Sequence, residues 1–408
     1  MMDISLNSDI PLRRIIFWEP CVSPHKSDFM QAVSRTLPDV EIICCADSDV
    51  PPDRKAMGWS APDGNGIETL IAPGAGQIER LVQGRHPGTF HVFSGTRHLS
   101  TLIRGLQAVK ACGARFAILS EPRVREGWAG GLRYLQSRLT EGWLRSHCEL
   151  VLAIGRNGPP WYLSVGYPSE KVFPFAYFVA PPRLSRSSSG ETGGQGRPAV
   201  RVGYVGRLVA MKGVFDLVQA VARLKRPAHL TLVGGGLDEA ALRKTCLEHG
   251  VDADFRGVLP IESIGEVMAQ LDVLVLASTS SDDGWGVVVS EALMGGTAVV
   301  ATSCVGASLM LDEPSFGRLA PPRDPGAIAQ AIVALAEEGA FTPSSRLQRR
   351  RLALARLSAE AGARYFVDLL HHRLAGGAPP VPFFQYPPAD EIIEPCRRVG
   401  GLPTPIQG

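Results

Sequence analysis

The sequence predicts an α/β protein made of two doubly wound, Rossmann-like domains that face each other across a cleft. Three observations support this fold class. The chain has 408 residues, which exceeds the size at which a single hydrophobic core usually stops growing. Short apolar runs alternate with longer amphipathic runs in both halves of the chain, as in a parallel sheet covered by helices on both faces. A stretch rich in Pro, Ser and Gly separates the two halves.

The first half alternates predicted strands with predicted helices. Its apolar, strand-like runs are RIIFWEP, VEIICCAD, TFHVFSG, RFAILSEP, ELVLAIG and KVFPFAYFV. Intervening segments such as SDFMQAVSRTL and LSTLIRGLQAVKACG have the length and amphipathic pattern of helices. Strand-helix alternation of this kind predicts a parallel sheet in an N-terminal domain over residues 1–180.

The same pattern starts again after a linker predicted over residues 181–198. The strands AVRVGYVG, HLTLVGGG, ADFRGVL, DVLVLAS and TAVVAT alternate with helices such as GVFDLVQAVARL. These elements predict a C-terminal domain over residues 199–345. One further long, basic helix is predicted over residues 346–375, free to pack back on the N-terminal domain, and a Pro-rich, extended tail over 376–408.

Composition excludes several classes of protein. The formal net charge is +2, whereas nucleic-acid-binding domains usually carry a strong basic excess, so no nucleic-acid partner is expected. None of the eight cysteines forms a C-x-x-C pair, which argues against a zinc or thioredoxin-like site. No run approaches the ~20 apolar residues of a membrane helix, and no signal peptide is expected at the N-terminus. The protein is therefore expected in the cytoplasm, and its oligomeric state stays open.

The first turn of the second domain, GRLVAMKG, carries two cations. Gly206 ends a predicted strand, and Arg207 and Lys212 flank a short loop before a helix. A guanidinium, an ammonium and the free N–H groups of a helix N-terminus together suit a phosphate or diphosphate. The alternative is a solvated loop with two surface cations.

The stretch DGWGVVVSEALMGG carries two carboxylates eight positions apart, Asp283 and Glu291. It follows a predicted strand and opens a helix, so the N–H groups of the backbone between them can point into the cleft. Carboxylates accept hydrogen bonds from hydroxyls, and two of them at this spacing can reach an elongated, polyhydroxylated ligand at different points. The alternative is a helix N-cap at Asp283 and a surface charge at Glu291.

Taken together, the two motifs indicate a nucleotide-sugar site at the carboxyl edge of one sheet. The sequence resembles the retaining GT-B glycosyltransferases of the family four grouping. The resemblance rests on GRLVAMKG, LTLVGGG, FRGVLP, DVLVLAS and DGWGVVVSEALMGGTAVVAT, and it covers about residues 200 to 340. In the N-terminal half it is only architectural.

The resemblance implies a role for each of these residues. Arg207 and Lys212 would bind the donor diphosphate beside Gly206. The family's E-x7-E motif falls on Asp283 and Glu291, which implies that Glu291 holds the ribose hydroxyls and Asp283 contacts the donor sugar. This chain has Asp where the family usually has Glu, so donor identity stays open. The sugar and phosphate oxygens would be bound by the backbone of a short loop, residues Gly284, Trp285, Gly286 and Val287.

The first domain is expected to supply the acceptor side. Ser23, His25 and Lys26 follow the first strand and are candidates, the alternative being ordinary loop residues. Glu121 ends the strand RFAILSE, where the family often has a His that contacts the donor sugar. An acid there could bind a sugar hydroxyl or assist the reacting acceptor, and the alternative is a helix-capping Glu.

The segment 126–147 predicts a basic amphipathic helix. Its apolar residues at helical spacing are Trp128, Leu132, Leu135, Leu139 and Trp143, and Arg133, Arg138 and Arg145 accompany them. Such a helix could lie on a membrane surface, which would suit a lipid-linked acceptor and a peripheral contact with the inner membrane. The alternative is a helix packed on its own core with a solvated basic face.

The resemblance implies transfer of a sugar from a nucleotide-diphosphate donor to a hydroxyl acceptor, a glycan or lipid-linked glycan, with retention and without a metal or other cofactor. The acids of DSD, residues 47–49, resemble a metal-binding D-x-D, but the fold context is wrong for one. The competing interpretations are an epimerase or hydrolase of nucleotide sugars on the same fold, and a non-catalytic nucleotide- or glycan-binding partner of a transferase.

Overall fold

The computed structural model describes residues 5–7, 10–60, 66–83, 87–97, 100–183 and 199–387. The first half begins with a short antiparallel pair, β1 (Ser5–Asn7) and β2 (Ile10–Pro11). Its main sheet consists, within the described residues, of seven parallel strands: β3 (Arg14–Glu19), β4 (Glu41–Ala46), β5 (Glu68–Ile71), β6 (Thr89–Ser94), β7 (Arg115–Ser120), β8 (Leu150–Ile154) and β9 (Val172–Phe175).

The strands of this sheet lie in the order β5-β4-β3-β6-β7-β8-β9. The order reverses between β3 and β6, and α/β proteins bind ligands beyond the carboxyl ends of strands at such a point. The helices of this half are α1 (Pro24–Thr36), α2 (Pro52–Lys55), α3 (Ala75–Gln83), α4 (Ser100–Cys112), α5 (Gly127–Thr140), α6 (Gly142–His147) and α7 (Gly158–Ser164). Every residue of β8 is buried, as expected of a strand covered on both faces.

The described part of the second half contains a second parallel sheet, of six strands. These are β10 (Val200–Val205), β11 (Ala228–Val233), β12 (Ala253–Phe255), β13 (Val273–Leu276), β14 (Ala298–Thr302) and β15 (Gly317–Ala320), in the order β12-β11-β10-β13-β14-β15. Here the order reverses between β10 and β13. The loops that follow these two strands are GRLVAMKG and the start of DGWGVVVSEALMGG, so the topology brings the two motifs to one edge.

The helices of the second half are α8 (Val214–Ala222), α9 (Glu239–Glu248), α10 (Ile261–Gln270), α11 (Val287–Met294), α12 (Pro325–Glu337), α13 (Pro343–Leu357) and α14 (Ala359–Ala375). No helix in the described ranges has both the length and the apolar character to cross a membrane. Most of the predicted linker, residues 184–198, lies outside the described residues.

The prediction of one long helix over 346–375 is wrong, because Ser358 divides it. Ser358 is extended, and its side chain accepts a hydrogen bond from the N–H of Ala361, which starts a new helix. Its neighbour Ala359 donates its N–H to the Val179 carbonyl of the first half at 2.9 Å. The two helices pack on different domains. Arg349 of α13 donates to the Gly296 carbonyl of the second domain, and α14 packs on α1 of the first.

The described part of the predicted tail, residues 376–387, is not a free extended segment. Phe383 is fully buried, and its ring lies 5.2 Å from that of Phe178 and 6.3 Å from that of Trp285. Burying an aromatic side chain away from water lowers the free energy of the folded protein, so this part of the tail packs against both halves. Residues 388–408 lie outside the described part.

Candidate active site

A cleft of about 680 Å³ lies between the carboxyl edges of the two sheets. Both halves of the chain contribute to its walls. The residues predicted from the sequence all line it: Ser23, His25, Lys26, Glu121, Gly206, Arg207, Lys212, Asp283, Gly284, Trp285, Gly286, Val287 and Glu291. The loops after β3, β7, β10 and β13 carry most of them, because the carboxyl ends of parallel strands meet at one edge.

Lys212 and Asp283 form an ion pair inside the cleft. Lys212 ends a 3₁₀ turn, Ala210–Lys212, after β10, and Asp283 ends another, Ser281–Asp283, after β13. Asp283 also accepts a hydrogen bond from the Ser278 hydroxyl. Both charged side chains are largely buried, with 14% and 4% exposed. Sequence reasoning assigned Lys212 to the diphosphate and Asp283 to the sugar, and it did not foresee that they pair.

Arg207 differs from Lys212 because its side chain is exposed to the cleft. In the described part of the chain its guanidinium makes no hydrogen bond or ion pair. Its carbonyl oxygen accepts a 2.7 Å hydrogen bond from the Tyr204 hydroxyl, which holds the turn after β10. Because this hydrogen bond fixes the turn, the Arg207 guanidinium can bind an anionic ligand without first breaking an ion pair.

Glu291 lies on α11, in the same wall of the cleft. Burial raises the pKa of its carboxyl to about 7, and the nearby carboxylate of Asp28 on α1 adds to the shift. No hydrogen bond or ion pair to the Glu291 carboxyl group occurs among the described residues. A desolvated carboxyl group that lacks a donor is one that a ligand hydroxyl can satisfy.

The loop between these acids turns its backbone, and not its indole, toward the cleft. Gly284 and Gly286 both have left-handed backbones, with φ of 66° and 78°, a region that favours glycine. The Trp285 side chain between them is buried and donates through Nε1 to Ser290 at 2.9 Å. No side chain caps the N-terminus of α11 at Gly286. The N–H of Val289 donates to the Gly286 carbonyl at 2.9 Å, so the N–H groups of Val287 and Val288 remain for a ligand.

Glu121 reaches across from the first half and does not act as a helix cap. Its Oε1 accepts the backbone N–H of Trp285 at 3.1 Å, and its carboxylate also hydrogen-bonds the Tyr177 hydroxyl. Burial, together with the charges of Glu121 and Glu19, raises the pKa of Tyr177 well above its usual value, so this hydroxyl keeps its proton and donates. The carboxylate thus lies beside the loop predicted to bind the donor sugar.

Lys26 is engaged by a buried acid that sequence reasoning missed. Its Nζ lies 2.5 Å from Oε2 of Glu19 and 2.8 Å from the Ser94 hydroxyl, and Ser94 donates to Glu19 Oε1 at 2.7 Å. Glu19 is the last residue of the buried strand β3. The available signal was an acid at the carboxyl end of an apolar, parallel strand, the same signal that identified Glu121.

The other two candidates on the acceptor side, His25 and Ser23, have side chains that are uncharged near pH 7. His25 packs edge-on to Trp59, with ring centroids 5.1 Å apart, and burial, aided by the nearby charge of Arg54, lowers its pKa to about 4. It is therefore neutral near pH 7. Ser23 precedes α1 without capping it through its side chain, and its carbonyl accepts the N–H groups of Lys26 and Ser27.

Several hydrogen bonds and an ion pair join the two halves of the chain. Glu126 accepts the backbone N–H of Ser281 at 2.9 Å. Arg156 donates to the Ser308 hydroxyl at 3.0 Å and pairs with Asp312 at 2.6 Å. The Ser60 hydroxyl donates to Glu262 at 2.9 Å.

The acids of DSD have local partners. Asp47 accepts the backbone N–H of Thr101 at 2.9 Å and the Ser100 hydroxyl at 3.1 Å, at the start of α4. These hydrogen bonds lower its pKa. Asp49 pairs with Lys55 at 3.2 Å. Over the described residues there is no group of three or more His, Cys, Asp or Glu side chains arranged to hold a metal ion.

Residues 199–338 match the model of a family described as glycosyl transferases group 1. Among curated proteins, a D-inositol 3-phosphate glycosyltransferase from Corynebacterium urealyticum is 30% identical over 176 residues, which are 40% of this chain and 39% of that protein. A 2-deoxystreptamine glucosyltransferase from Streptomyces kanamyceticus is 32% identical over 136 residues, 32% of this chain and 35% of that protein. The matched segments therefore span well under half the length of these relatives.

The likeness to solved structures extends over both halves. Anabaena Alr3699/HepE in complex with UDP has a TM-score of 0.65 at 16% identity, covering 88% of this chain and 99% of that chain. A glycosyltransferase from Rickettsia africae has a TM-score of 0.65 at 13% identity, covering 90% and 100%. At these identities the likeness establishes the fold.

The two parallel sheets and the cleft between them define a GT-B protein, as the sequence predicted. Within that fold, residues 199–338 are similar to the glycosyl transferases group 1 family.

Proposed function

We propose that the protein transfers a sugar from a nucleotide-diphosphate donor to a hydroxyl acceptor. One observation carries the proposal. Within the described ranges, the Arg207 guanidinium and the desolvated Glu291 carboxyl have no partner, and both lie in one wall of a cleft that uncapped N–H groups also line. A ligand with hydroxyls at one end and phosphates beside them satisfies all three.

The nucleotide end of the donor fits the second half of the chain. Glu291 accepts hydrogen bonds from the ribose hydroxyls, and Arg207 binds the diphosphate together with the N–H groups at the start of α11. Lys212 adds a positive charge that Asp283 partly neutralises. Because Alr3699/HepE is described in complex with UDP and with UDP-glucose, uridine nucleotides are the first donors to test.

The reacting end of the donor lies toward Glu121, Asp283 and the N–H of Trp285. As the bond from the sugar to the diphosphate breaks, negative charge grows on the leaving oxygens, and preorganised cations stabilise it. The leaving phosphate takes the proton of the acceptor hydroxyl on the same face of the sugar. The anomeric configuration is retained, and neither a metal nor a protein base is required.

The acceptor enters from the first half of the chain, past Glu19, Lys26 and His25. Paired charges and a neutral imidazole suit an uncharged hydroxyl compound, a glycan or a lipid-linked glycan, better than an anion. Glu121 is the group on this side that lies closest to the proposed position of the donor sugar, because its Oε1 is 3.1 Å from the backbone N of Trp285. Its carboxylate can accept further hydrogen bonds from sugar hydroxyls.

The test begins with a thermal-shift screen of nucleotides and nucleotide sugars. A ligand at 100 times its Kd adds about 2.7 kcal/mol to the free energy of unfolding, so the ranking identifies base and sugar. The best donor is then incubated with and without sugar acceptors, and the anomeric configuration of the product is read by NMR, in the presence and absence of EDTA.

Each outcome separates the proposal from its competitors. A new glycoside with the donor's anomeric configuration supports it. An altered or hydrolysed nucleotide sugar in the absence of acceptor indicates an epimerase or hydrolase. Nucleotide binding with no turnover across donors and acceptors indicates a non-catalytic partner, and stabilisation by no nucleotide overturns the donor site itself.

A further inference from the structure

The helix α5 exposes a row of large apolar side chains. Trp128, Leu132, Leu135 and Leu139 lie at i, i+4, i+7 and i+11, and 81, 56, 52 and 74% of their respective surfaces are exposed. These four residues are here called the α5 outer face. Scattered exposed leucines are ordinary, but a contiguous apolar row on one face marks an interaction site.

The sequence left open whether this helix packs on its own core or meets a surface. For the outer face the first alternative is wrong. The helix packs inward through other residues: Gly130 and Ser137 are buried, and Tyr134 donates its hydroxyl to the Ser164 carbonyl at 3.2 Å. The predicted helix 126–147 also breaks at Glu141, and Trp143 on α6 turns inward to stack on Phe116 at 5.3 Å.

The charge around the outer face is positive. The helix α5 contains no acidic residue, and its exposed cations are Arg125 just before it and Arg138 near its end. The nearest acids are already bound: Glu126 accepts the N–H of Ser281, and Glu141 accepts hydrogen bonds from Arg97 and Tyr167. An apolar row between cations, without free carboxylates, is complementary to an anionic bilayer surface.

The N-terminal end of the outer face lies near the cleft. The chain leaves the cleft at Glu121 and enters α5 at Gly127, and Glu126 between them contacts the rim of the second half at Ser281. A surface held against α5 therefore lies close to the Glu121 end of the cleft, on the half of the chain that is proposed to bind the acceptor.

We propose that the α5 outer face docks on an anionic lipid bilayer, with its four apolar side chains at the boundary of headgroups and acyl chains. The acceptor is then lipid-linked and is presented to the cleft from that bilayer, a step that rests on the proposed sugar transfer. A symmetric dimer through the same face fits less well, because it would bring the arginines of two copies together.

The test is cosedimentation of the full chain with vesicles of phosphatidylcholine alone or mixed with phosphatidylglycerol. The wild type binds the anionic vesicles, and added salt weakens this binding. Trp128→Ser/Leu139→Ser lowers the partition coefficient by about tenfold or more, and Arg138→Gln lowers it on anionic vesicles only. The matched control is Leu237→Ser/Leu247→Ser, which removes two exposed apolar side chains from the second half and leaves binding unchanged.

Thermal melts show whether each protein is folded, and donor binding tests the proposed function separately from vesicle binding. A folded wild type that does not sediment with anionic vesicles overturns the docking, as does an outer-face variant that binds like the wild type. A wild-type dimer that Trp128→Ser/Leu139→Ser dissociates in sedimentation velocity reassigns the face to self-association. If vesicles bind but no nucleotide does, the proposed function fails while the docking stands.

Discussion

The carboxylate of Glu121 and the backbone N–H of Trp285 join the two halves of the protein across the cleft, with 3.1 Å between Oε1 and N. Gly284 permits this approach, since a Cβ there would lie 2.5 Å from Glu121 Oε1. In the proposed reaction the same N–H faces the donor sugar. Glu121 therefore occupies a position where it either shares the sugar hydroxyl with this N–H or is displaced by the sugar.

We expect Glu121→Ala to weaken binding of the complete nucleotide sugar by about tenfold or more, the worth of a hydrogen bond to a charged group. Binding of the nucleoside diphosphate, which lacks the sugar, should be unchanged. Calorimetry with both ligands measures the difference. Tyr177→Phe is the control, because it removes a partner of the carboxylate and keeps the carboxylate itself. Tighter binding of the nucleotide sugar by Glu121→Ala would make Glu121 a competitor of the sugar.

Arg207→Ala should lower kcat by about 100-fold or more, the scale seen when one preorganised donor to a developing charge is removed. Because Arg207 is exposed and its guanidinium has no partner in the described part of the chain, the midpoint of thermal unfolding should not move. Steady-state kinetics and a melt test both statements. Arg223→Ala is the matched control, an exposed arginine of the same half outside the cleft. Near wild-type turnover in Arg207→Ala would overturn the assignment of the diphosphate site.

Lys212 should differ from Arg207 in its effect on stability. Lys212→Met leaves the carboxylate of Asp283, which is 4% exposed, without its cation, and removing one partner of a buried pair costs about 3–5 kcal/mol. The double variant Lys212→Met/Asp283→Leu should recover most of that loss, yet both variants should lose about 100-fold in kcat. Urea unfolding and kinetics give the two readouts. A double variant no more stable than Lys212→Met would mean that the pair contributes little to the fold.

The fold and the positions of the cations and acids could be predicted from the sequence, because strand periodicity and motif order determine which loops share a sheet edge. It did not reach the pairing of Lys212 with Asp283, since these residues lie on separate loops whose conformations depend on packing. The ion pair of Glu19 with Lys26 and the break at Ser358 were missed for a similar reason. Each depends on a partner distant in sequence, Ser94 in one case and Val179 in the other.

Glu291 should make both stability and donor binding depend on pH. Its folded pKa of about 7 lies above the unfolded value, so its contribution to stability is complete below about pH 4.5 and is lost as the pH rises through 7, by at most about 3 kcal/mol. Glu291→Gln should therefore gain stability relative to the wild type between these values. The direct comparison is needed because the lowered pKa of His25, about 4, acts in the opposite direction over an overlapping range.

The donor supplies the second readout for Glu291. A ribose hydroxyl donates most strongly to the ionised carboxylate, so the donor Kd of the wild type should fall between pH 6 and pH 8, with release of a proton on binding. Glu291→Gln should bind the donor about tenfold or more weakly, and its Kd should not change over this range. Calorimetry in buffers of different ionisation enthalpy measures the proton directly. A wild-type Kd that stays constant across pH, or a Glu291→Gln donor Kd equal to that of the wild type, would remove the ribose role from Glu291.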